Sequence, residues 1–290
     1  MNMNMVLQSL ISGVFIGGIL ALPVMGVALI YGVTGILNYS IAVIGTFGVF
    51  VSWTLVGHGL LVAVLGGIAV SFGLGFGLQQ FIFNPLIERK GNDLTLFFIV
   101  TFGVATIVAG FTKVVFARPT ISFQLPGTKF LTLEGVPINS QRLLAVCIAI
   151  GFLVLIWIFQ KTTRTGRSLR ATSQNLRMAK LVGVNVFLVY AVVSGIGVFL
   201  AFVGAFFWGA LYNVTVSTGW DLTFYGYIIA IVGGIGNVWG GMLAAIVMGE
   251  VIAFAGNTVG GSWQSVVVYA VLFLILVVAP RGLLGSERSI

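Results

Sequence analysis

Long apolar runs joined by short polar segments make up most of this chain. The uninterrupted runs cover residues 6–31, 60–83, 94–116, 143–159, 187–211 and 262–279. An α-helix needs about 20 apolar residues to cross a bilayer. The pattern therefore predicts an all-α integral membrane protein, a polytopic helical bundle.

Two further apolar runs are interrupted by polar residues and glycine. The run at 35–53 contains Asn38 and several glycines, and it fits either a full span or a broken one. The run at 222–257 has five glycines within residues 233–241, which disfavours one continuous helix. This second run fits either a hairpin that enters and leaves from outside or two short crossings. With these runs the sequence predicts about eight spans.

A polar stretch at residues 161–185 divides the apolar pattern near the middle of the chain. It holds six of the 14 Lys and Arg residues and no acidic residue. Loops with an excess of Lys and Arg stay on the cytoplasmic side of a membrane. We therefore predict a cytoplasmic loop here, and the charge bias assigns the tail after Pro280 to the same side. The side of the N-terminus stays open, because residues 1–5 carry no charged side chain.

The central loop also has a helical pattern with two faces. The small and apolar face consists of Leu169, Thr172, Leu176, Ala179 and Gly183. The basic face consists of Arg167, Arg170, Gln174 and Arg177. Gly183 is a natural helix stop. The pattern fits either a basic helix lying on anionic lipid headgroups or a docking helix for a cytoplasmic partner.

Composition excludes a soluble globular domain. The chain has 59% hydrophobic and 7% charged residues and a mean hydropathy of +1.16, whereas soluble domains have about 25% charged residues. The net charge of +8 comes largely from the central loop, so it requires no nucleic-acid partner. The 40 glycines indicate closely packed and broken helices. The first run is predicted to be a retained span, because no basic segment precedes it.

Candidate chemistry is sparse. No set of nucleophile, base and acid is recognisable, so no catalytic residue and no enzymatic activity are predicted. His58 lies in a Gly-His-Gly turn, and the single cysteine, Cys147, allows neither an intramolecular disulfide nor a cysteine metal site. The chain has no GxxxxGK[ST] phosphate loop. We expect it to bind no cofactor, and any ATP that drives it to be used by a partner subunit.

Two acidic residues lie in or near the apolar runs. Asp221 is predicted to lie at an interface beside Trp220, either as a solvated loop acid or as part of a site. Glu250 lies inside the run IVMGEVIAF, where a carboxylate must be paired, protonated or facing water. Polar packing and solute contact are both open for Glu250.

The glycine-rich break at residues 233–241 and the interrupted run at 35–53 are candidates for a translocation path. A loose echo between residues 6–83 and 187–279 suggests an internal two-fold repeat, and transporters often place their site between such repeats. Irregular backbone at membrane depth occurs where protein buries it or water reaches it. The candidate path residues are Asn38, Gly233, Gly234, Gly236, Asn237 and Glu250. Tight helix packing without solute contact is the alternative for the break.

Several motifs resemble one family over nearly the whole chain. They are Arg164-Thr165-Gly166-Arg167, Leu169-Arg170-Ala171, Leu181-Val182-Gly183-Val184-Asn185, Gly233-Gly234-Ile235-Gly236-Asn237, Gly249-Glu250, Asn84-Pro85-Leu86 and Pro280-Arg281-Gly282. These motifs look like those of permease subunits of branched-chain amino acid ABC importers of the LivH type.

This resemblance implies one permease domain, residues 1–290, in the cytoplasmic membrane, with a coupling loop at 161–187. The implied ATPase-coupling residues are Arg167, Leu169, Arg170, Leu176, Ala179 and Gly183. The implied partners are ATP-binding cassette subunits, a second homologous permease subunit and an external solute-binding protein, with membrane lipid around the spans. The ATP-binding subunits would use the ATP.

The chain departs from the family pattern in three places. Tyr39-Ser40-Ile41-Ala42 follows Asn38 where the family usually has Phe-Ala-His-Gly, and Leu176-Arg177 replaces a usual proline and glutamate. Tyr225 replaces a usual lysine. The solute therefore stays open between branched-chain amino acids, another amino acid, an amide and urea. A stand-alone secondary transporter or channel is the alternative function, and a membrane anchor or scaffold is a third.

Overall fold

Helices make up most of the fold. The computed structural model describes residues 3–91, 93–123, 130–133, 136–258, 260–279 and 282–284. In these ranges the helices are α1 (Met3–Thr34), α2 (Ile41–Leu55), α3 (Leu60–Leu78), α4 (Asn84–Lys90), α5 (Leu94–Phe116), α6 (Ser140–Thr162), α7 (Arg164–Gln174), α8 (Leu176–Leu181), α9 (Val186–Leu211), α10 (Thr218–Gly233), α11 (Val238–Thr258) and α12 (Gly261–Val278).

Short antiparallel strand pairs connect some of the helices. Strand β1 (Thr120–Ile121) pairs with β4 (Val214–Thr215), and β2 (Phe130–Leu133) pairs with β3 (Val136–Asn139). The first pair ties the segment after α5 to the segment after α9. Both of these segments therefore lie at the same end of the bundle.

Six apolar helical segments in the described ranges are long enough to cross a membrane. They are Gln8–Thr34, Ile41–His58, Leu60–Lys90, Leu94–Phe116, Val186–Leu211 and Val238–Thr258. Helix α6 joins α7 at a bend of 87°, and this pair raises the number to seven. Helix α12 contributes a shorter apolar core, Val266–Ile275. The predicted all-α polytopic bundle is confirmed.

Helix α1 is central to the bundle and packs against α9, α10 and α11. Glycines allow the closest approaches: a Cβ on Gly26 would collide with the carbonyl of Gly197 in α9, and one on Gly249 in α11 with the carbonyl of Gly13. Spans without a hydrophobic driving force between them associate by such backbone contact. The abundance of glycine therefore reflects close helix packing, as the composition predicted.

The chain between α1 and α2 is a largely buried, non-helical segment, residues 35–40. The side-chain oxygens of Thr34 and Asn38 each accept a hydrogen bond from the backbone N–H two residues further on. The hydroxyl of Thr101 in α5 donates to the carbonyl of Leu37 at 3.4 Å. Non-helical backbone inside a bundle needs such partners. The run at 35–53 therefore starts with a non-helical segment and continues into a helix that is long enough to cross the membrane, Ile41–His58.

Helix α3 does not end where the apolar run ends. The sequence predicts that this helix ends at Phe83, before Asn84-Pro85. Instead, the helical segment continues through a π-helical turn (Gln79–Phe83) into α4, which ends at Lys90. Proline lacks an N–H and crowds the carbonyl four residues earlier. The wider π-helical turn accommodates Pro85 at the start of α4 without breaking the rod.

The order of helix contacts relates the two halves of the chain. Helix α1 packs on α9, α10 and α11, while α9 packs on α1, α2 and α3. The pairs α2–α3 and α10–α11 also correspond, and α2 contacts α10. Helices α1 and α9 run in opposite directions, so this reciprocal pairing has the pattern of an inverted repeat.

Candidate coupling surface and transport cavities

The end of the bundle that carries α7 and α8 is called the inner end here, and the opposite end the outer end. Helix α4 also lies at the inner end, because the Asn84 side-chain amide donates to the carbonyl of Phe187 at the start of α9, at 2.9 Å. At the outer end, the Asn257 amide of α11 donates to the hydroxyl of Ser9 in α1, at 2.8 Å. The N-terminal half of α1 therefore lies at the outer end, which settles relative to the loop a question that the sequence leaves open.

The predicted single helix of the central loop is two helices. Asn175, with φ −151° and ψ 101°, interrupts it between α7 and α8. Its side-chain oxygen caps α8 by accepting from the Met178 N–H at 3.0 Å. Asparagine competes well for such caps. The periodic face drawn across this residue, from Leu169 to Gly183, is therefore wrong as a continuous face.

The small and apolar residues of the loop pack mainly against this subunit. Leu169 is 3% exposed and Ala179 is 2% exposed, and Thr172 is also buried. Gly166 lies so close to the carbonyl of Phe159 that a side chain there would collide with it. Helix α7 thus folds back at 87° onto the bundle.

The remaining predicted coupling residues lie toward solvent. Arg167 and Gly183 are exposed, Leu176 is 36% exposed and Arg170 is half-buried. Gly183 has φ +81° and ends α8, since its N–H donates to the carbonyl of Lys180 and the next N–H donates to that of Ala179. This is a Schellman motif, so the predicted helix stop is confirmed.

Helix α8 presents an apolar surface that the sequence analysis missed. Met178, Leu181 and Val182 are 56%, 79% and 73% exposed within the described chain. They share one side of the short helix, and the basic residues Arg177 and Lys180 flank them. The spacing of Met178 and Leu181, three residues apart, was the available signal. We call Met178, Leu181 and Val182 the α8 surface.

An inner cavity of about 560 Å³ joins the central loop to the glycine-rich break. Leu169, Arg170 and Ser173 of α7 line one wall, and Gly236 and Asn237 of the break line another. The C-terminal end of α1 and one side of α6 complete the cavity. The two regions that the sequence singled out separately therefore meet in one site.

The glycine-rich break is hydrogen-bonded to residues 282–284, which follow α12. The Asn237 side chain accepts from the N–H groups of Trp239 and Gly240, which caps α11, and donates to the carbonyl of Leu284 at 2.9 Å. The carbonyl of Gly233 accepts from the N–H of Leu284 at 3.3 Å. The break and residues 282–284 thus both lie at the inner end. Helices α10 and α11 then traverse the bundle in opposite directions, which favours the two short crossings over a shallow hairpin.

The other predicted path residues lie apart from this cavity. Asn38 lies in the non-helical segment between α1 and α2, where it is 4% exposed and accepts a hydrogen bond from the Ser40 hydroxyl at 2.6 Å. Glu250 lies at the contact of α1 and α11 beside Gly13, and within the described residues its buried Oε2 has no hydrogen-bond partner. Gly234, with φ +97°, shapes the turn after α10 without lining the cavity. The predicted path is therefore distributed over separate parts of the fold.

An outer cavity of about 590 Å³ lies between α1, α9, α10 and α11. Asp221 and Tyr225 of α10, Trp208 of α9 and the adjacent Tyr212 line one side. From the sequence, Asp221 fits either a loop acid or a site, with no visible link to these aromatic residues. They lie 13 residues or fewer from Asp221 along the chain, but only the packing of α9, α10 and α11 around α1 places them around one space.

Comparison with known proteins matches this architecture. Residues 9–276 match the model of the family described as branched-chain amino acid transport system / permease component. The chain is 28% identical to the high-affinity branched-chain amino acid transport system permease protein BraD of Pseudomonas aeruginosa, over 97% of this chain and 96% of BraD. It is 25% identical to LivH of Salmonella typhimurium and 24% identical to LivH of Escherichia coli, with the same shares covered.

A solved structure is similar in fold. PsaBC from Streptococcus pneumoniae in complex with Fab aligns with a TM-score of 0.51 at 14% identity, covering 93% of this chain and 91% of that one. Together with the apolar helices, the family match identifies a multi-pass protein of the inner membrane that is a transport subunit and not an enzyme. The chain belongs to the family of permease components of branched-chain amino acid transport systems.

Proposed function

We propose that this permease subunit conducts a branched-chain amino acid, or a related small polar solute, through the bundle toward the inner end. The relatives BraD and LivH are by name high-affinity branched-chain amino acid permeases. ATP is used by partner ATPase subunits, and an external binding protein delivers the solute. A second homologous permease subunit completes the membrane part.

The observation that carries the proposal is the path from the α8 surface to the inner cavity. Apolar side chains exposed in a basic loop outside the spans are suited to a groove in a partner protein. Helix α8 follows α7 directly at Asn175, and α7 forms a wall of the inner cavity. Movement of a partner against the α8 surface therefore displaces the wall beside Arg170 and Ser173.

This arrangement revises the coupling residues. Met178, Leu181 and Val182 make the partner contact, together with Leu176 and the flanking basic residues. Leu169 and Ala179 transmit the displacement, because they are packed against the bundle. Arg170 lines the inner cavity, Arg167 orients the loop from the exposed side of α7, and Gly183 ends α8.

Within this proposal the glycine-rich break is the movable floor of the inner cavity. Gly233 and Gly240 lie in backbone contact, and a Cβ on either would collide with the other. Gly236 backs onto Gly32 of α1, with φ +87° that favours glycine. Asn237 and Gly234 shape the turn, and Asn38 and Glu250 support the neighbouring spans as polar packing groups.

Reconstitution tests this function. The subunit, assembled with its ATPase, second permease and binding protein in proteoliposomes, should take up radiolabelled leucine only when ATP is present on the inner side. A Walker-motif variant of the ATPase should abolish uptake. Leucine uptake by this chain alone, driven by an ion gradient, would instead make it a secondary transporter.

A further inference from the structure

The outer cavity combines a carboxylate, aromatic rings and an apolar wall. Asp221 is exposed toward this space, while Trp208 and Tyr225 beside it are half-buried. Deeper in the cavity, Leu20 of α1 is 1% exposed and Ile252 and Ala253 of α11 are 4% and 6% exposed. Small-molecule sites in proteins are largely apolar cavities with a few convergent polar groups.

The polar side of this cavity has negative charge without a compensating cation. Within the described chain, none of the basic residues lines it, and Asp221 is its one ionisable carboxylate. A carboxylate forms charge-assisted hydrogen bonds with an ammonium group. The faces of indole and phenol rings also attract cations. Trp208, Tyr212 and Tyr225 therefore add to the attraction of Asp221 for a positive group.

The apolar side fits an aliphatic group of modest size. Ile16 and Leu20 of α1 line the cavity together with Ile252 and Ala253 of α11. Burial of apolar surface stabilises a bound aliphatic chain by about 25 cal/mol per Å². A molecule with an ammonium at one end and a branched aliphatic chain at the other matches both sides, and the uncharged polar side chains of Gln8 and Ser12 are left for the carboxylate of an amino acid.

We propose that the outer cavity is an entry site that binds the ammonium group of an aliphatic amino acid through Asp221 and its aromatic neighbours. The aliphatic side chain lies against the wall of Ile16, Leu20, Ile252 and Ala253. This inference rests on the proposed function, and it assigns the residues that first receive the solute in the membrane. The inner cavity then takes the solute at a later step.

A packed layer separates the two cavities. The same helix α1 lines the outer cavity as far as Leu20 and the inner cavity from Ala28 onward. Between them Val24 is 0% exposed and lies where a Cβ on Gly241 of α11 would approach it at 2.9 Å. The structure is thus closed between the cavities.

Thiol chemistry tests the charge of the cavity without requiring transport. In a Cys147→Ala background, Ser12→Cys places a thiol in the wall, and Thr54→Cys is the control at an exposed position of α2. A cationic methanethiosulfonate should react at position 12 about tenfold faster than an anionic one, relative to the same ratio at position 54. Asp221→Asn should remove this preference.

Ligand protection of the same cysteine tests the class of solute, with the permease assembled with its partner subunits. L-leucine and 3-methylbutylamine, which both carry an ammonium, should slow modification of Ser12→Cys, whereas 4-methylpentanoate should not. Protection by 4-methylpentanoate equal to that by leucine overturns the ammonium assignment. Absence of protection by any of the three compounds at up to solubility-limited concentration overturns the site.

Transport separates this inference from the proposed function. Asp221→Asn should lower the maximal rate of ATP-driven leucine uptake at least tenfold with normal assembly, and Asp93→Asn, which retains the cap of α5, should not. If the unaltered complex imports leucine and Asp221→Asn imports it equally well, the entry site is wrong and the function stands. If the unaltered complex imports no amino acid, the proposed function fails.

Discussion

Both cavities are lined in part by α1, α10 and α11, yet their other lining residues give them different chemistry. The inner cavity is bounded by a loop that carries Arg170 and by irregular backbone at Gly236 and Asn237. The outer cavity is bounded by regular helices and is lined by Asp221 and aromatic rings. We propose two tasks on this basis: the outer end selects a solute by fixed side chains, and the inner end changes shape when the loop is moved.

The largest expected effect is the opposite accessibility of the two cavities. In the Cys147→Ala background, Ser12→Cys should react with an impermeant thiol reagent added outside intact cells. Ser173→Cys should react only after the membrane is permeabilised, because the excess of Lys and Arg in the loop predicts a cytoplasmic position. Labelling of position 173 from outside would reverse the orientation of the whole bundle.

The contact of α1 with α11 beside the outer cavity should be the most sensitive to side-chain volume. Gly249→Ala places a methyl group against the backbone of Gly13 and Gly17, and we expect a destabilisation of about 1–3 kcal/mol. Gly103→Ala in α5 is the matched control, since a Cβ there meets nothing, and it should stabilise by up to ~1 kcal/mol. Thermal unfolding in detergent measures both. Equal stability of the two variants contradicts the close contact of α1 and α11.

The next largest effect is expected when a negative charge is placed on the α8 surface. Leu181→Asp should weaken co-purification of the ATPase subunits about tenfold, which corresponds to about 1.4 kcal/mol, without loss of the folded permease. Gln174→Asp, an exposed position on α7, adds the same charge as a control.

A different result is expected for the buried side of the loop. Ala179→Trp should disturb the loop itself, because Ala179 is packed against this subunit. If the Leu181→Asp variant retains its ATPase subunits and couples ATP hydrolysis to transport normally, the α8 surface does not make the coupling contact.

The smallest expected effect concerns the cap at the break. Asn237→Ala removes an acceptor for two N–H groups and a donor to Leu284, and it should cost about 1 kcal/mol. Asn237→Asp keeps the acceptor and should cost less. Uptake kinetics should change with the cap if the break moves during transport. Unchanged kinetics in a stable Asn237→Ala complex would leave the break a packing element only.

Much of the fold was predictable from local chemistry. The apolar runs locate α1, α5, α9 and α12 to within a few residues, since lipid and buried positions both require apolar side chains. The stop at Gly183 was also predictable, because few residues other than glycine tolerate a left-handed conformation. Continuation of α3 through Pro85 was not, since a π-helical turn leaves no clear periodic signal.

The candidate sites were predictable only in part. The charge of the central loop marks one region and the five glycines mark another, but their meeting in the inner cavity depends on the 87° turn from α6 to α7. Asn38 was singled out as a path residue, yet it forms a buried turn with Ser40. The sequence shows Ser40 two residues away but not that the two side chains close a buried turn, because many polar residues in spans face a cavity instead.

By itself the sequence determined the class of the protein, the number of long apolar segments to within one or two, and the sidedness expected from its basic loop. Those features depend on composition and on charge counted along the chain, which folding does not alter. The tertiary structure decided which side of the central loop is exposed, where the two cavities lie and that Asp221 shares one of them with three aromatic rings. Such placements depend on glycine contacts between distant helices, and the sequence shows the glycines without showing which of them meet.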